Sequence, residues 1–326
     1  MIPIRDTNPS RTVPVVNYAL IGLNVFVFLT ELFQGSDMAR FVYYYGLVPA
    51  RYFDAEIASY FSFGQQIFSF FSFMFLHGGF LHILGNMWFL YIFGDNIEDH
   101  LGPFRYLAFY LLCGISSGVT HMVLNIHSNV PVVGASGAIA GVMGAYLILF
   151  PRSKVLTLVP ILIIPFFFEL PAFIFMGIWF FIQFLNAASS FGNATDIAWW
   201  AHIGGFLFGI LFLRLMGRLP ATGATHFTRQ LAERKTTHRL QVIHPSGPVE
   251  DPNLYGTIFL TPYEAVRGTQ KVVNIPWGFH NQMVRVTVPP DTREGNILRL
   301  AGMGKRMPDG RRGDLMLTVQ FEAYQR

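Results

Sequence analysis

Four side chains in apolar surroundings have the right types and spacing for acyl-transfer chemistry. Ser136 lies in Gly134-Ala-Ser-Gly137, His202 lies in Ala201-His-Ile-Gly-Gly205, and His82 precedes Asn86 by four residues. An alcohol is a weak nucleophile at neutral pH and needs a base within hydrogen-bond reach, a role His202 can fill for Ser136. His82 and Asn86, at i and i+4, share one face of a helix, and both can donate to the same developing oxyanion. Ser136 at or beside the N-terminus of a helix would add free N–H groups and the positive end of the helix dipole. Gly134 and Gly137 allow a strained entry and the close approach of a substrate backbone. Gly205 and Gly209 form a Gly-x-x-x-Gly one turn beyond His202, a pattern that lets helices approach closely. No carboxylate near this set lies in an apolar stretch, and Asp196 reads as loop, so a Ser-His dyad fits better than a triad.

Polar residues are expensive in hydrocarbon, so the elements that carry these four must be found first. The chain has 326 residues, 52% hydrophobic and only 13% charged, with a mean hydropathy of +0.41, which indicates a polytopic membrane protein. Apolar runs long enough to span a bilayer of roughly 30 Å are drawn at 15–33, 79–93, 106–124, 136–150, 156–188 and 198–215. The fifth run is interrupted by Pro160, Pro165 and Pro171 and is read as one span with an interfacial piece. Arg5 and Arg11, Arg152 and Lys154, and Arg214 and Arg218 each follow an even number of crossings, which predicts both termini in the cytoplasm. His82, Ser136 and His202 then fall near one membrane face. The first run lacks a small-residue cleavage site and is read as retained.

The C-terminal third differs in kind. Residues 1–213 hold 7 Lys+Arg against 10 Asp+Glu, and residues 214–326 hold 16 against 9. The lone cysteine, Cys113, excludes an internal disulfide and reads as a buried thiol. Residues 219–252 read as a linker. Beyond it, Val284, Val286 and Val288, and then Leu315, Leu317, Val319 and Phe321, alternate with polar or less apolar residues as half-buried strands do. Thr261-Pro-Tyr-Glu264 supplies an N-cap, a first-turn proline and a capping glutamate, with Gly268 as a stop. The expected fold is an all-α polytopic membrane domain over 1–218, a six-helix bundle, followed by a small mostly-β cytoplasmic domain over 253–326.

Residues from about 17 to 218 resemble the rhomboid family of intramembrane serine proteases. The resemblance rests on His77-Gly-Gly-Phe-Leu-His82-Ile-Leu-Gly-Asn86, Gly94-Asp-Asn-Ile-Glu-Asp99, Gly134-Ala-Ser136-Gly-Ala138 and Ala201-His202-Ile-Gly-Gly-Phe-Leu-Phe-Gly209. It implies Ser136 as nucleophile, His202 as general base, and His82, Asn86 and the Ser136 amide as oxyanion hole. It also implies a water-filled cavity, single-pass transmembrane substrates cut near the outer face, and a lateral gate made by the fifth helix and the loop of 189–198. No metal or cofactor is implied. Two positions depart from the family pattern: the stretch Gln66 to Phe71 has neither residue of a Trp-Arg pair, and Ala140 stands where some members stack a tyrosine under the histidine, so that packing is left to hold His202. His77 reads as loop structure.

The tail resembles the C-terminal substrate-binding domain of DnaJ co-chaperones, through Thr261-Pro-Tyr-Glu-Ala-Val-Arg-Gly268, Arg285-Val-Thr-Val-Pro-Pro-Asp-Thr-Arg-Glu-Gly295, Leu298-Arg-Leu-Ala-Gly302-Met-Gly304 and Gly313-Asp-Leu-Met-Leu317. That resemblance implies a β-sandwich taking a peptide or protein ligand by strand addition. The partners expected are thus membrane-protein substrates, the lipid bilayer and a ligand of the tail, with no nucleic acid. The co-chaperone resemblance points to a prokaryotic plasma membrane. A catalytically idle binder that escorts membrane clients is the alternative, and retention of Ser136, His202, His82 and Asn86 argues against it.

Overall fold

The computed structural model describes residues 1–8, 10, 12–161, 164–189, 198–219, 240–248, 251–277, 280–307 and 312–321. The chain forms two compact units, Met1–Glu233 and Arg234–Arg326. The first is a helical bundle. Its elements are β1 (Ile2–Asp6), α1 (Val15–Leu32), α2 (Met38–Tyr45), α3 (Ala55–Ala58), α4 (Phe63–Ser72), α5 (Phe80–Leu101), α6 (Pro103–Leu124), α7 (Ser136–Leu149), β2 (Lys154–Ile161), β3 (Ile164–Pro171), α8 (Ala172–Ser189) and α9 (Trp199–Gly217). By length and hydropathy α1, α6, α8 and α9 can each cross a membrane, α5 passes the same test only together with residues 63–75, from which it is bent by 78°, and α7 is a shorter apolar helix.

The inner helix is α7. Every residue from 137 to 146 is buried, as expected of a helix apolar all round. Small residues let its neighbours reach its backbone. A Cβ placed on Gly205 of α9 would overlap the Gly137 carbonyl oxygen, one on Gly209 would overlap the Gly141 carbonyl, and one on Gly141 would stand 2.6 Å from Cys113 Cβ of α6. Cys113 is buried.

The N-terminal segment is stapled to α5 by the acidic run after Gly94. Pro14 precedes α1 and has no side chain to cap it. Glu98 takes over: its carboxylate accepts from the Val16 and Asn17 amides at 3.0 and 2.7 Å. Asp99 accepts from the Thr12 amide and hydroxyl. Asn17 donates to the Leu90 carbonyl and accepts from the Tyr106 hydroxyl at 2.7 Å, a meeting that a Cβ on Gly94 would obstruct. The Tyr146 hydroxyl and the Asn96 amide both donate to Asp6 Oδ2.

The first half of the fifth apolar run is a correction to the expected span. Residues 156–161 and 164–171 belong to β2 and β3, an antiparallel pair extended by β1 into a three-stranded sheet, and the helix starts only at Ala172. Pro160, Pro165 and Pro171 cannot sustain helical hydrogen bonds, while the Val, Ile, Thr and Phe around them suit extended backbone. The second run also differs: α5 continues past Phe93 through the acidic motif to Leu101, because those acids are bonded to the N-terminal segment rather than left at a helix exit.

The second unit contains β4 (Leu240–Val242), β5 (Leu254–Leu260), α10 (Pro262–Arg267), β6 (Thr269–Trp277), β7 (His280–Val288), β8 (Ile297–Leu300) and β9 (Leu315–Phe321). They form two three-stranded sheets, β4-β6-β7 and β5-β9-β8, whose inward residues share one core. Leu315, Leu317 and Val319 are buried at every second position, as the alternation predicts. Thr261 and Glu264 form a reciprocal capping box at the start of α10, and Glu264 also pairs with Lys271 at 2.6 Å, both side chains being almost fully buried. β4 falls inside the stretch read as linker, pairing in parallel with β6. Residues 220–239 and 249–250 of that stretch lie outside the described residues.

Two predictions follow from this packing. Gly205→Ala, whose new methyl meets backbone that cannot yield, destabilises the bundle by about 1–3 kcal/mol in detergent thermal unfolding, whereas Gly177→Ala on α8, with open space around it, leaves the midpoint unchanged. Burial raises the Asp6 carboxyl from its ordinary 3.8 to about 6, against the lowering effect of the Tyr146 hydroxyl bond and with Asp95 adding to the rise. The protonated form is therefore the one the fold favours, and Asp6's contribution is complete below its ordinary value and lost as pH rises through about 6. Compared with Asp6→Asn, the native chain should lose unfolding temperature across that window and run parallel to the variant below it.

Candidate active site

Ser136 is the first residue of α7, with Ala135 at the cap position. The chain reaches it through Gly134 at φ +122°, a backbone conformation that L side chains rarely adopt, and a Cβ there would lie 2.8 Å from His82 Nε2. His202 stands in the first turn of α9. The α7–α9 contact brings the two together: His202 Nε2 and Ser136 Oγ are 2.8 Å apart. With Nε2 accepting from the hydroxyl, the ring's proton belongs on Nδ1, and Nδ1 lies 2.8 Å from Gln183 Oε1 of α8. Gln183 Nε2 points the other way, to the Trp179 carbonyl at 3.4 Å, which assigns its oxygen to the histidine.

The imidazole is also packed. Trp179, one turn before Gln183, holds its ring centroid 6.0 Å from that of His202 at a tilt of 35°, and Trp199 meets the same ring edge-on at 6.0 Å. Ala140 is fully buried in α7. The packing of His202 thus comes from α8 and α9.

His82 and Asn86 lie one turn apart near the start of α5 and line the same cavity as Ser136, Gln183 and His202. That cavity measures about 1480 Å³, and its apolar wall includes Phe80, Leu81, Phe89 and Trp200. Asn86 Nδ2 is buried with no hydrogen-bond partner among the described residues. A buried donor without an acceptor is costly, and Asn86 is also one of the residues that line the cavity with Ser136. His77 packs its ring against His82 at 5.1 Å, and its amide donates to both Glu31 carboxylate oxygens, at 2.9 and 3.1 Å.

The structure brings Ser136, His202, His82 and Asn86 to one cavity and places Gly134, Gly137, Gly205 and Gly209 at the contacts that allow it. Three partners of the histidine were not found from sequence: Trp179, Gln183 and Trp199. The available signal was a glutamine in an apolar run, four residues after a tryptophan on the same helix face. Of the loop expected to form a gate, residues 190–197 lie outside the described residues. Among the described residues no group of three or more metal-ligating side chains is found.

Comparison with known proteins agrees with both halves of the chain. The Rhomboid domain family matches residues 64–219, and the DnaJ C terminal domain family matches residues 239–323. The chain is 28% identical over 215 residues to Rhomboid protein 1, mitochondrial, of Saccharomyces cerevisiae, covering 63% of this chain and 53% of that protein. It is 29% identical over 204 residues to the human Presenilin-associated rhomboid-like protein, mitochondrial, covering 60% and 46%. A shorter match of 72 residues, covering 22% of this chain and 23% of the relative, is 38% identical to RHOMBOID-like protein 5 of Arabidopsis thaliana. The match to the yeast and human relatives therefore spans about half of their length. Their names are mitochondrial, which does not fit a prokaryotic plasma membrane. With its apolar helices and its β-sheet unit, this chain is a multi-pass membrane protein that carries a rhomboid domain at residues 64–219 and a DnaJ C terminal domain at residues 239–323.

Proposed function

We propose that this chain is an intramembrane serine endopeptidase acting on transmembrane segments of membrane proteins. The observation that carries the reading is the 2.8 Å hydrogen bond between Ser136 and His202 inside a cavity that also holds an unpartnered Asn86 amide donor. Ser136 Oγ attacks the scissile carbonyl carbon as His202 Nε2 takes the hydroxyl proton. Negative charge develops on the carbonyl oxygen, where Asn86 Nδ2, His82 and the Ser136 amide at the start of α7 donate to it. As the C–N bond breaks, His202 returns its proton to the leaving amine. Water then repeats the sequence on the acyl-enzyme and frees Ser136.

His82, Ser136 and His202 all stand near the N-terminal ends of their helices, α5, α7 and α9. In a bundle whose successive spans alternate in direction, those three ends share one membrane face. The basic residues flanking the spans make that face the outer one and leave both termini in the cytoplasm. The apolar wall of the cavity suits a substrate segment arriving from lipid, and the β-sheet unit is a peptide-binding module for tails of substrates or partners.

The test is labelling of the purified chain with a fluorophosphonate probe, alongside cleavage of a model transmembrane substrate in liposomes. Wild type labels and cleaves, Ser136→Ala and His202→Ala do neither, and Asn86→Ala loses roughly 10²-fold in kcat. A folded wild type that neither labels nor cleaves would make the chain a binder of membrane clients instead.

A further inference from the structure

The histidine of the dyad has a second partner that neither the dyad reading nor the resemblance supplies. Gln183 is 6% exposed and sits on α8, a helix that carries neither Ser136 nor any oxyanion donor. The buried residues of α8 are Ala172, Phe175, Met176, Gln183 and Ala187, spaced as one helical stripe, while Phe181, Ile182, Phe184 and Leu185 are exposed. A glutamine in the buried stripe of such a helix is costly unless both ends of its amide are bonded. Both are: Nε2 donates to the Trp179 carbonyl, and Oε1 accepts from His202 Nδ1.

We infer that Gln183 is a positioning residue for the general base: it holds His202 in the tautomer and ring orientation that leave Nε2 free to accept the Ser136 proton. The inference rests on the protease reading and deepens it. An imidazole offers two nitrogens, and one that turns over or moves its proton to Nε2 presents a donor to the serine and cannot act as base. Gln183 Oε1 can only accept, so it selects the Nδ1–H form, and Trp179 packed beside the ring narrows its rotation. The amide is neutral, so this is orientation without the added charge of a carboxylate. Since Gln183 and Trp179 both come from α8, the alignment of the dyad depends on α8 remaining docked against α9.

The experiment uses the full chain in detergent and reads the second-order rate of fluorophosphonate labelling for wild type, Gln183→Met and Gln183→Glu. The methionine keeps the volume and removes the acceptor, and the glutamate restores an acceptor at Nδ1. We expect Gln183→Met to label about 10–100-fold more slowly with an unchanged unfolding midpoint, and Gln183→Glu to recover most of that loss. Nitrogen-15 spectra of histidine-labelled wild type, with His202 assigned by comparison with His202→Ala, should show Nδ1 protonated, a readout that needs no Gln183 variant to fold. Labelling of folded Gln183→Met at the wild-type rate, or a wild-type His202 protonated on Nε2, would overturn the positioning role and leave the protease reading standing. Absence of Ser136-dependent labelling in wild type would overturn the protease reading, and this inference with it.

Discussion

Backbone contact between α7 and α9 is the constraint on which the site depends. Gly205 and Gly209 of one helix face the Gly137 and Gly141 carbonyls of the other, with no space for a methyl between them. Small residues at a helix interface permit this approach, and in lipid, where burial of apolar side chains gives little drive for association, close packing supplies much of the attraction. A reach of 2.8 Å from His202 to Ser136 follows because the histidine lies one turn before the tightest point of contact. The inner helix can serve two neighbours at once because it is equally bare toward α6: Gly137 leaves room for Ser117 and Gly141 for Cys113.

Within that frame the polar atoms are arranged as a chain rather than as isolated pairs. Ser136, His202, Gln183 and the Trp179 carbonyl follow one another across three helices, each donor meeting an acceptor. In a low-dielectric interior such a chain has strong geometric demands, since a single misdirected amide leaves two groups unsatisfied. Asn86 is the contrasting case. Its unpartnered Nδ2 costs about 1–3 kcal/mol of desolvation in the resting protein. On the proposed reading, a donor without a partner near Ser136 is what stabilisation of a transient oxyanion requires, and stability and function then pull in opposite directions at this one side chain.

Away from the site, acidic side chains anchor ends. Glu98 and Asp99 of α5 hold the start of α1 and Thr12, and Asp6 of the N-terminal segment meets Tyr146 of α7 and Asn96 of α5. In the β-sheet unit, Glu264 does similar work by closing the capping box of α10 and pairing with Lys271. Glu98 and Glu264 are buried carboxylates, tolerated because their oxygens are bonded.

Several of these features are legible in residue order alone. Apolar composition and run length specify a multi-pass chain, because hydrocarbon demands about twenty apolar residues per helical crossing. Alternation at Leu315, Leu317 and Val319 specifies strands, because side chains of extended backbone change face at each step. Ser136, His202, His82 and Asn86 stand out because polar groups in apolar runs need a reason to be there. Other features depend on distance through space. The run that begins at residue 156 is apolar enough for a span, and only the pairing of β2 with β3 and β1 makes its first part a sheet. Glu98 reads as a loop acid until α1 is seen to begin against it. Gln183 lies 19 residues before His202, a separation with no local meaning, and its role appears only when α8 packs on α9 and turns its one buried amide toward Nδ1. The sequence by itself determined which groups are present and which faces are apolar, since these are properties of residue type and spacing. The tertiary structure alone decided which group bonds to which, since hydrogen bonds act over about 3 Å and only packing brings distant segments within that range.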